Sequence, residues 1–159
     1  MKKTNESKGN MRFKYRVAAV ALQDDCVLIH QFEGSDYWSL PGGNVEMWET
    51  SQDALKRELF EEAGLTFQIE RLLWVHENLF ERADGRQVHE LALYYLVNLN
   101  GPVDEVTDGW EDDLRLHFRW VPLGQLSEYK LVPPFLKHSL LSLPETPVHL
   151  ITFDNQQVG

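Results

Sequence analysis

Two segments that are apolar on both faces do most to narrow the folds open to this chain. Read as strands, successive side chains alternate from one face to the other. Around residues 17–22 (Val-Ala-Ala-Val-Ala-Leu) every position is apolar, within a strand expected over residues 13–22. In a second strand over residues 87–97, Leu91, Leu93, Tyr95 and Val97 fall on one face, and Val88, Ala92, Tyr94 and Leu96 on the other. Such strands belong to a sheet that is covered above and below.

The punctuation between apolar runs predicts the remaining elements. Gln23-Asp24-Asp25 suggests a hairpin, with residues 27–32 as the returning strand and a loop around Gly34. Trp38-Ser39-Leu40 is short and extended, and Pro41-Gly42-Gly43 ends it. A helix is expected over residues 50–63, with Thr50 or Ser51 as N-cap and Gly64 as its stop. Residues 67–80 hold one or two strands, Ala83-Asp84-Gly85 is a turn, and residues 98–113 form a polar, acidic loop. A strand follows over 116–121. Pro122 then starts a short helical segment, and Pro133 or Pro134 opens a second helix reaching Leu141. Residues 148–153 form a last strand. Strands on both sides of a helix, followed by further strands and a C-terminal helix, read as an α/β sandwich. The chain's 159 residues suit one core, with no repeat or linker. Residues 1–10 read as a disordered tail and 11–155 as one domain.

Composition removes several function classes. A net charge of −10 argues against non-specific binding to nucleic acid, which needs a basic face. It leaves a phosphate substrate open, because a metal ion inverts the sign of a carboxylate-lined site. Cys26 is the only cysteine, so no internal disulfide can form, and a reducing, cytoplasmic compartment is expected. In its apolar strand it reads as an inert buried thiol. The first ten residues lack the apolar stretch of a signal peptide. Residues 17–22 are too few to cross a bilayer, so no membrane partner is expected.

The chemistry concentrates in Arg57-Glu58-Leu59-Phe60-Glu61-Glu62-Ala63-Gly64-Leu65. On a helix, Glu58, Glu61 and Glu62 fall within an arc of roughly 100°. Leu55, Leu59, Phe60 and Ala63 gather on the other side, ready to pack on a sheet. Like charges at this spacing repel, and a helix C-terminus disfavours negative charge. The placement therefore calls for a cation. Arg57 is one, and hard oxygen ligands at this spacing suit Mg²⁺ or Mn²⁺ better still. A bare E-x-x-E-E is by itself most simply a solvated acidic face. The context argues otherwise, because Gly42 and Gly43 upstream let backbone approach a ligand closely. Glycine loop and carboxylate helix together make a cradle for metal-bound phosphates.

Gly43 to Leu65 resembles the Nudix box: G, five residues, E, seven residues, R-E-U-x-E-E-x-G-U, with U a bulky aliphatic. Gly43, Glu49, Arg57, Glu58, Leu59, Glu61, Glu62, Gly64 and Leu65 occupy its fixed positions. Residues 38–42 look like the segment that leads into the box, and Arg119-Trp120-Val121-Pro122 resembles the family's late strand. Trp48 departs from the many members that carry glycine there; it reads either as a pocket-shaping residue or as a partly buried packing aromatic.

The resemblance implies an α/β/α sandwich with a mixed sheet, and a pyrophosphohydrolase acting on a nucleoside diphosphate linked to another group. It also implies divalent ions and leaves room for a homodimer. Glu58 and Glu62 would be the main metal ligands, with Glu61 a further ligand or the base for water. The Gly42 carbonyl would complete the shell. Arg57 would orient a carboxylate, and Glu49 would pair with Arg57 or bind a second ion.

Outside the box, Glu105, Glu111, Asp112 and Asp113 are candidates for a further catalytic glutamate or substrate contact. Glu111, after Trp110, is the first choice, against the plainer reading of a solvated loop. Trp38, Tyr37 and Trp110 offer ring faces for a base, although each also reads as packing. His76, Glu77, His89 and Glu90 are candidates for lining a cleft, against a structural hydrogen-bonding role. Two other functions stay in view: hydrolysis of ordinary or oxidised nucleoside triphosphates, and nucleotide sensing without catalysis.

Overall fold

The computed structural model describes residues 6–158. In chain order its strands are β1 (Glu6–Lys8), β2 (Met11–Gln23), β3 (Cys26–Phe32), β4 (Gly42–Asn44), β5 (Phe67–Glu81), β6 (Gln87–Leu99), β7 (Gly109–Glu111), β8 (Leu114–Pro122), β9 (Val148–Phe153) and β10 (Gln156–Gln157). The helices are α1 (Ser51–Ala63) and α2 (Leu136–Ser139), with a 3-10 helix at Leu123–Glu128.

The two doubly apolar segments lie side by side. β2 and β6 run parallel, in register from Met11↔Gln87 to Ala21↔Val97. β5 flanks β6 antiparallel, with two irregularities, and β9 adds to β5 in parallel. On the other side β2 forks. It pairs with β3 only at Leu22↔Val27 and Gln23↔Cys26, while β4 takes the edge at Arg16 to Ala18. β3 continues instead with β8, which carries β7.

Each face of this mixed sheet has its own core. Val17, Ala19 and Ala21 of β2, with Tyr95 and Val97 of β6, pack under Ala54, Leu55 and Leu59 of α1. Val20, Ala92 and Tyr94 face the other way, against Leu126 of the 3-10 helix, Leu131, and Leu136 and Leu140 at α2. The result is the expected α/β/α sandwich. Full burial of a leucine such as Leu55 contributes about 1.5–3 kcal/mol, and Leu55→Ala would cost about 2–5 kcal/mol.

α1 starts and stops where its sequence says. The Thr50 hydroxyl accepts from the Asp53 N–H at 3.1 Å. Gly64 adopts φ +64° and donates its N–H to the Phe60 carbonyl at 3.0 Å.

Four expectations need correction. Residues 6–8, assigned to a disordered tail, form β1 and pair with β2 through Lys8↔Met11, closing a two-residue turn at Gly9-Asn10; residues 1–5 lie outside the described residues. Phe60, expected in the core, is 62% exposed. At about 100° per residue it stands roughly 160° around the helix from Glu62, which takes the buried side. The 98–113 loop contains β7, held by its ladder to β8. The second helix is only four residues long, Leu136–Ser139. Among the described residues no helix is long and apolar enough to cross a membrane.

Candidate active site

Three carboxylates meet where α1, β4 and β7 come together. Glu58, Glu62 and Glu111 each offer an oxygen, and these oxygens lie within 4.8 Å of one another. Local geometry explains the convergence. β4 sits so tightly on β2 that a Cβ at Gly42 would stand 2.0 Å from the Val17 carbonyl oxygen. A Cβ at Gly43 would meet the Glu58 carboxyl carbon at 2.3 Å, so that carboxylate lies directly over bare backbone. Glu58 and Glu62 are one turn apart on α1, and β7 brings Glu111 from outside the helix.

Glu62 is 5% exposed, and neither of its oxygens has a hydrogen-bond partner. Burial pushes its carboxyl up to about 10, helped by a shared proton with Glu58 and the charge of Glu111; Arg16 acts in the opposite direction. That shared proton exists only in the protonated form; fully ionised, the trio has no donor for Glu62. Two like charges about 4 Å apart repel by about 4 kcal/mol at an effective dielectric of 20. The arrangement therefore demands protons or a cation, and three hard oxygens fit a divalent ion such as Mg²⁺ or Mn²⁺.

Arg57 organises the surroundings. Its Nε and Nη2 donate to Glu49 at 2.8 and 3.0 Å, a bidentate pair. Its Nη1 donates to Glu58 at 3.0 Å and to Glu61 at 3.4 Å. Nη2 also reaches the Asn44 carbonyl at 3.2 Å. One side chain thus ties helix, glycine strand and connecting turn together. Glu49 closes the turn by accepting from the Glu46 N–H at 3.1 Å. The Arg57 hydrogen bonds hold the Glu49 carboxyl below its ordinary value.

The other sequence candidates scatter. Glu61, named with the metal ligands, stands outside the trio, 60% exposed and held by Arg57. The Trp38 ring, proposed for a base, is covered by the Arg119 guanidinium at 5.4 Å and meets Tyr129 edge-on. Trp110 is 60% exposed, on the face of β7 opposite Gly109 and Glu111. Tyr37 is exposed. Trp48 is neither buried nor packed: it is fully exposed, with φ +66°, a conformation that favours glycine. Glu105, Asp112 and Asp113 are exposed.

His76, Glu77, His89 and Glu90 do not line one cleft. Alternation puts His76 and Glu90 on one face of the sheet and Glu77 and His89 on the other. His76 is sealed, bonded through Nε2 to Thr152 at 2.8 Å, and Glu77 pairs with His149 at 2.7 Å. Two features escaped the sequence reading. Arg12, Lys14 and Arg16 share a face of β2, although the alternation R-x-K-x-R was visible in the sequence. Gly109 packs against the end of α1, a contact with no local sequence signal.

Comparison with known proteins agrees with this geometry. The model of the NUDIX domain family matches residues 12–141. Diphosphoinositol polyphosphate phosphohydrolase 2 of Rattus norvegicus is 32% identical over 108 residues, covering 65% of this chain and 54% of the relative. The chain thus spans about half the length of that curated relative. A MutT NUDIX hydrolase from Burkholderia pseudomallei superimposes with a TM-score of 0.58 at 27% identity, covering 70% of this chain and 84% of the other. A MutT protein from Bacillus halodurans reaches 0.65 at 19% identity, covering 92% and 95%, a likeness of fold.

Proposed function

The chain belongs to the NUDIX domain family, and from that premise we propose a divalent-metal-dependent pyrophosphohydrolase that opens the phosphoanhydride of a nucleoside diphosphate linked to another group. The observation that carries this reading is Glu62: a sealed carboxylate with no donor, within 4.8 Å of two others. Glu58, Glu62 and Glu111 would hold Mg²⁺ or Mn²⁺, with the Gly42 carbonyl completing the shell. Such an ion, when bound, neutralises phosphate oxygens and stabilises charge developing at phosphorus.

The chain's own residues do the rest. Arg57 fixes the Glu58 carboxylate through its bond at 3.0 Å, and Glu49 fixes Arg57. Gly43 keeps backbone close to the phosphates. Glu61, outside the trio and open to water, takes the proton from the attacking water. A bond forms from water oxygen to phosphorus, the anhydride bond breaks, and a phosphate leaves. In this reading residues 11–155 are one catalytic domain. It works in the cytoplasm on small molecules, with neither nucleic acid nor membrane as partner.

A second reading, a densely phosphorylated group in place of the nucleoside, is favoured by the row Arg12, Lys14 and Arg16. Glu90 is the carboxylate that acts on Lys14, and its effect is outweighed. Burial, then the neighbouring Arg82 and Arg16, lower Lys14 to about 8. Such a cluster in a chain of net charge −10 suits a polyanion. The name of the rat relative points the same way.

The test is a panel of nucleotide sugars, dinucleoside polyphosphates, nucleoside triphosphates and diphosphoinositol polyphosphates, assayed with Mg²⁺ and Mn²⁺ and scored by product mass. Metal-dependent cleavage of the nucleotide conjugates, lost in Glu58→Gln and Glu62→Gln, is expected. Turnover confined to the inositol compounds would transfer the reading to the second substrate class. Near wild-type turnover in both variants would remove the metal assignment.

A further inference from the structure

Glu111 reaches Glu58 and Glu62 from a strand of three residues inside a polar, acidic segment. Something must hold that strand in place against the mutual repulsion of the carboxylates it brings together. We propose that Gly109 is the positioning residue that seats Glu111 in the trio, an inference that rests on reading the trio as a metal centre.

The contact is backbone on backbone. A Cβ built on Gly109 would stand 1.7 Å from the Glu62 carbonyl oxygen and 2.8 Å from its carbonyl carbon. No rotamer change relieves a clash with main chain. The Gly109 Cα therefore rests directly on the last turn of α1, in the manner of a Cα–H to carbonyl contact. Gly109 and Glu111 occupy the same face of β7, about 7 Å apart along the strand. Glu58 and Glu62, one turn apart, rise about 6 Å along the helix. Strand and helix thus meet at two matched points, one through bare backbone and one through carboxylates.

β7 has no room to slide away from an added side chain while keeping both points. On its other edge it is laddered to β8 through Gly109↔Leu116, Trp110↔Arg115 and Glu111↔Leu114, and Leu116 is fully buried. Just before it, Asp108 accepts from Arg115 at 3.0 Å and bonds His117 Nδ1 at 2.9 Å. α1 in turn is anchored by its buried leucines. A methyl group at Gly109 must lift β7 off the helix, and Glu111 moves with it.

The experiment is a double-mutant cycle on Mn²⁺ affinity, measured by calorimetry on the full chain for wild type, Gly109→Ala, Glu111→Gln and the double variant. Gly109→Ala is expected to weaken Mn²⁺ binding about 10- to 100-fold, as loss of an orienting contact does. The double variant should bind no more weakly than Glu111→Gln alone, because the two substitutions remove the same interaction. A merely structural glycine would give additive losses, or a lowered melting temperature with wild-type Mn²⁺ affinity, and either result overturns the proposal. If Gly109→Ala does not fold, Asp108→Asn runs the same cycle, since it loosens the anchor of β7 without adding bulk; unchanged Mn²⁺ affinity there also overturns it. Absence of Mn²⁺ binding by the wild type would instead defeat the metal reading beneath it.

Discussion

Glu62 on one face of the sheet and His76 on the other are both nearly sealed, at 5% and 0% exposure, yet they are satisfied in opposite ways. His76 finds a partner inside the protein. Its Nε2 meets Thr152 Oγ1 at 2.8 Å, and that hydroxyl donates to Asn78 at 2.8 Å. Burial lowers His76 to about 4, so it stays neutral at physiological pH. Only its Nδ1 is left without a partner. Glu62 has both oxygens unpartnered and two carboxylates for neighbours. A buried polar group completed by its neighbours supports the fold. One surrounded by its own kind marks a place where the fold waits for a ligand.

The largest test of this contrast is Glu62→Gln, expected to lower turnover about 10²- to 10⁴-fold with Mg²⁺, a loss of several kcal/mol of transition-state stabilisation. In chelator the same change should protect the fold. The Glu62 carboxyl is raised from 4.5 to about 10 in the folded state, so the native chain holds the extra proton between those values. Stability therefore falls as pH rises through that window. Melting scans in chelator at several pH values should show this decline in the wild type and a flatter profile in the variant. A steeper decline in Glu62→Gln would break the comparison.

Arg57→Lys sharpens it. The charge is kept, but the fork that reaches Glu49, Glu58, Glu61 and Asn44 is lost. Metal affinity should drop about 10- to 100-fold by calorimetry. An unchanged value would mean that charge alone, and not orientation, matters there.

The smallest effect belongs to the opposite face. Thr152→Val leaves His76 Nε2 and Asn78 Oδ1 unpaired. It should cost about 1–3 kcal/mol in denaturant unfolding, with turnover at the wild-type level. Collapse of activity at full stability would move this cluster from scaffold to site.

What the sequence made legible follows from what is local. The doubly apolar strands, the Thr50 cap and the Gly64 stop are encoded within a few residues of where they act. Phe60 went astray because a helix has one phase: with Leu55, Leu59 and Glu62 inward, Phe60 faces water. The bulk of Trp48 suggests packing, whereas the ring is fully exposed and its left-handed backbone is the conformation that glycine suits. The Gly9-Asn10 turn carried a hairpin signal that the polar surroundings masked. β7 was hidden for a deeper reason. Gly-Trp-Glu has no strand period of its own, and only the ladder to β8 and the end of α1 give it shape. Glu111 was therefore nameable as a candidate, but the company it keeps came only from long-range packing.

The fork in the sheet has a mechanical corollary. β2 and β3 share only the pairs Leu22↔Val27 and Gln23↔Cys26, and β4 wedges in below them. At its end β2 is tied instead to the segment after β6, where the Gln23 amide makes two bonds to Val103, each at 2.8 Å. The leaf bearing β3 and β8, with Trp38 and Arg119, is thus joined to the leaf bearing β5, β6 and β9 by a narrow neck, like two covers sharing a short spine. Side chains carry what the backbone ladder does not: Leu28 of β3 packs with Val17 and Tyr95 on one face, and Val27, Ile29 and Val121 pack with Val20 and Tyr94 on the other, so both cores bridge the fork and hold the covers at a fixed angle.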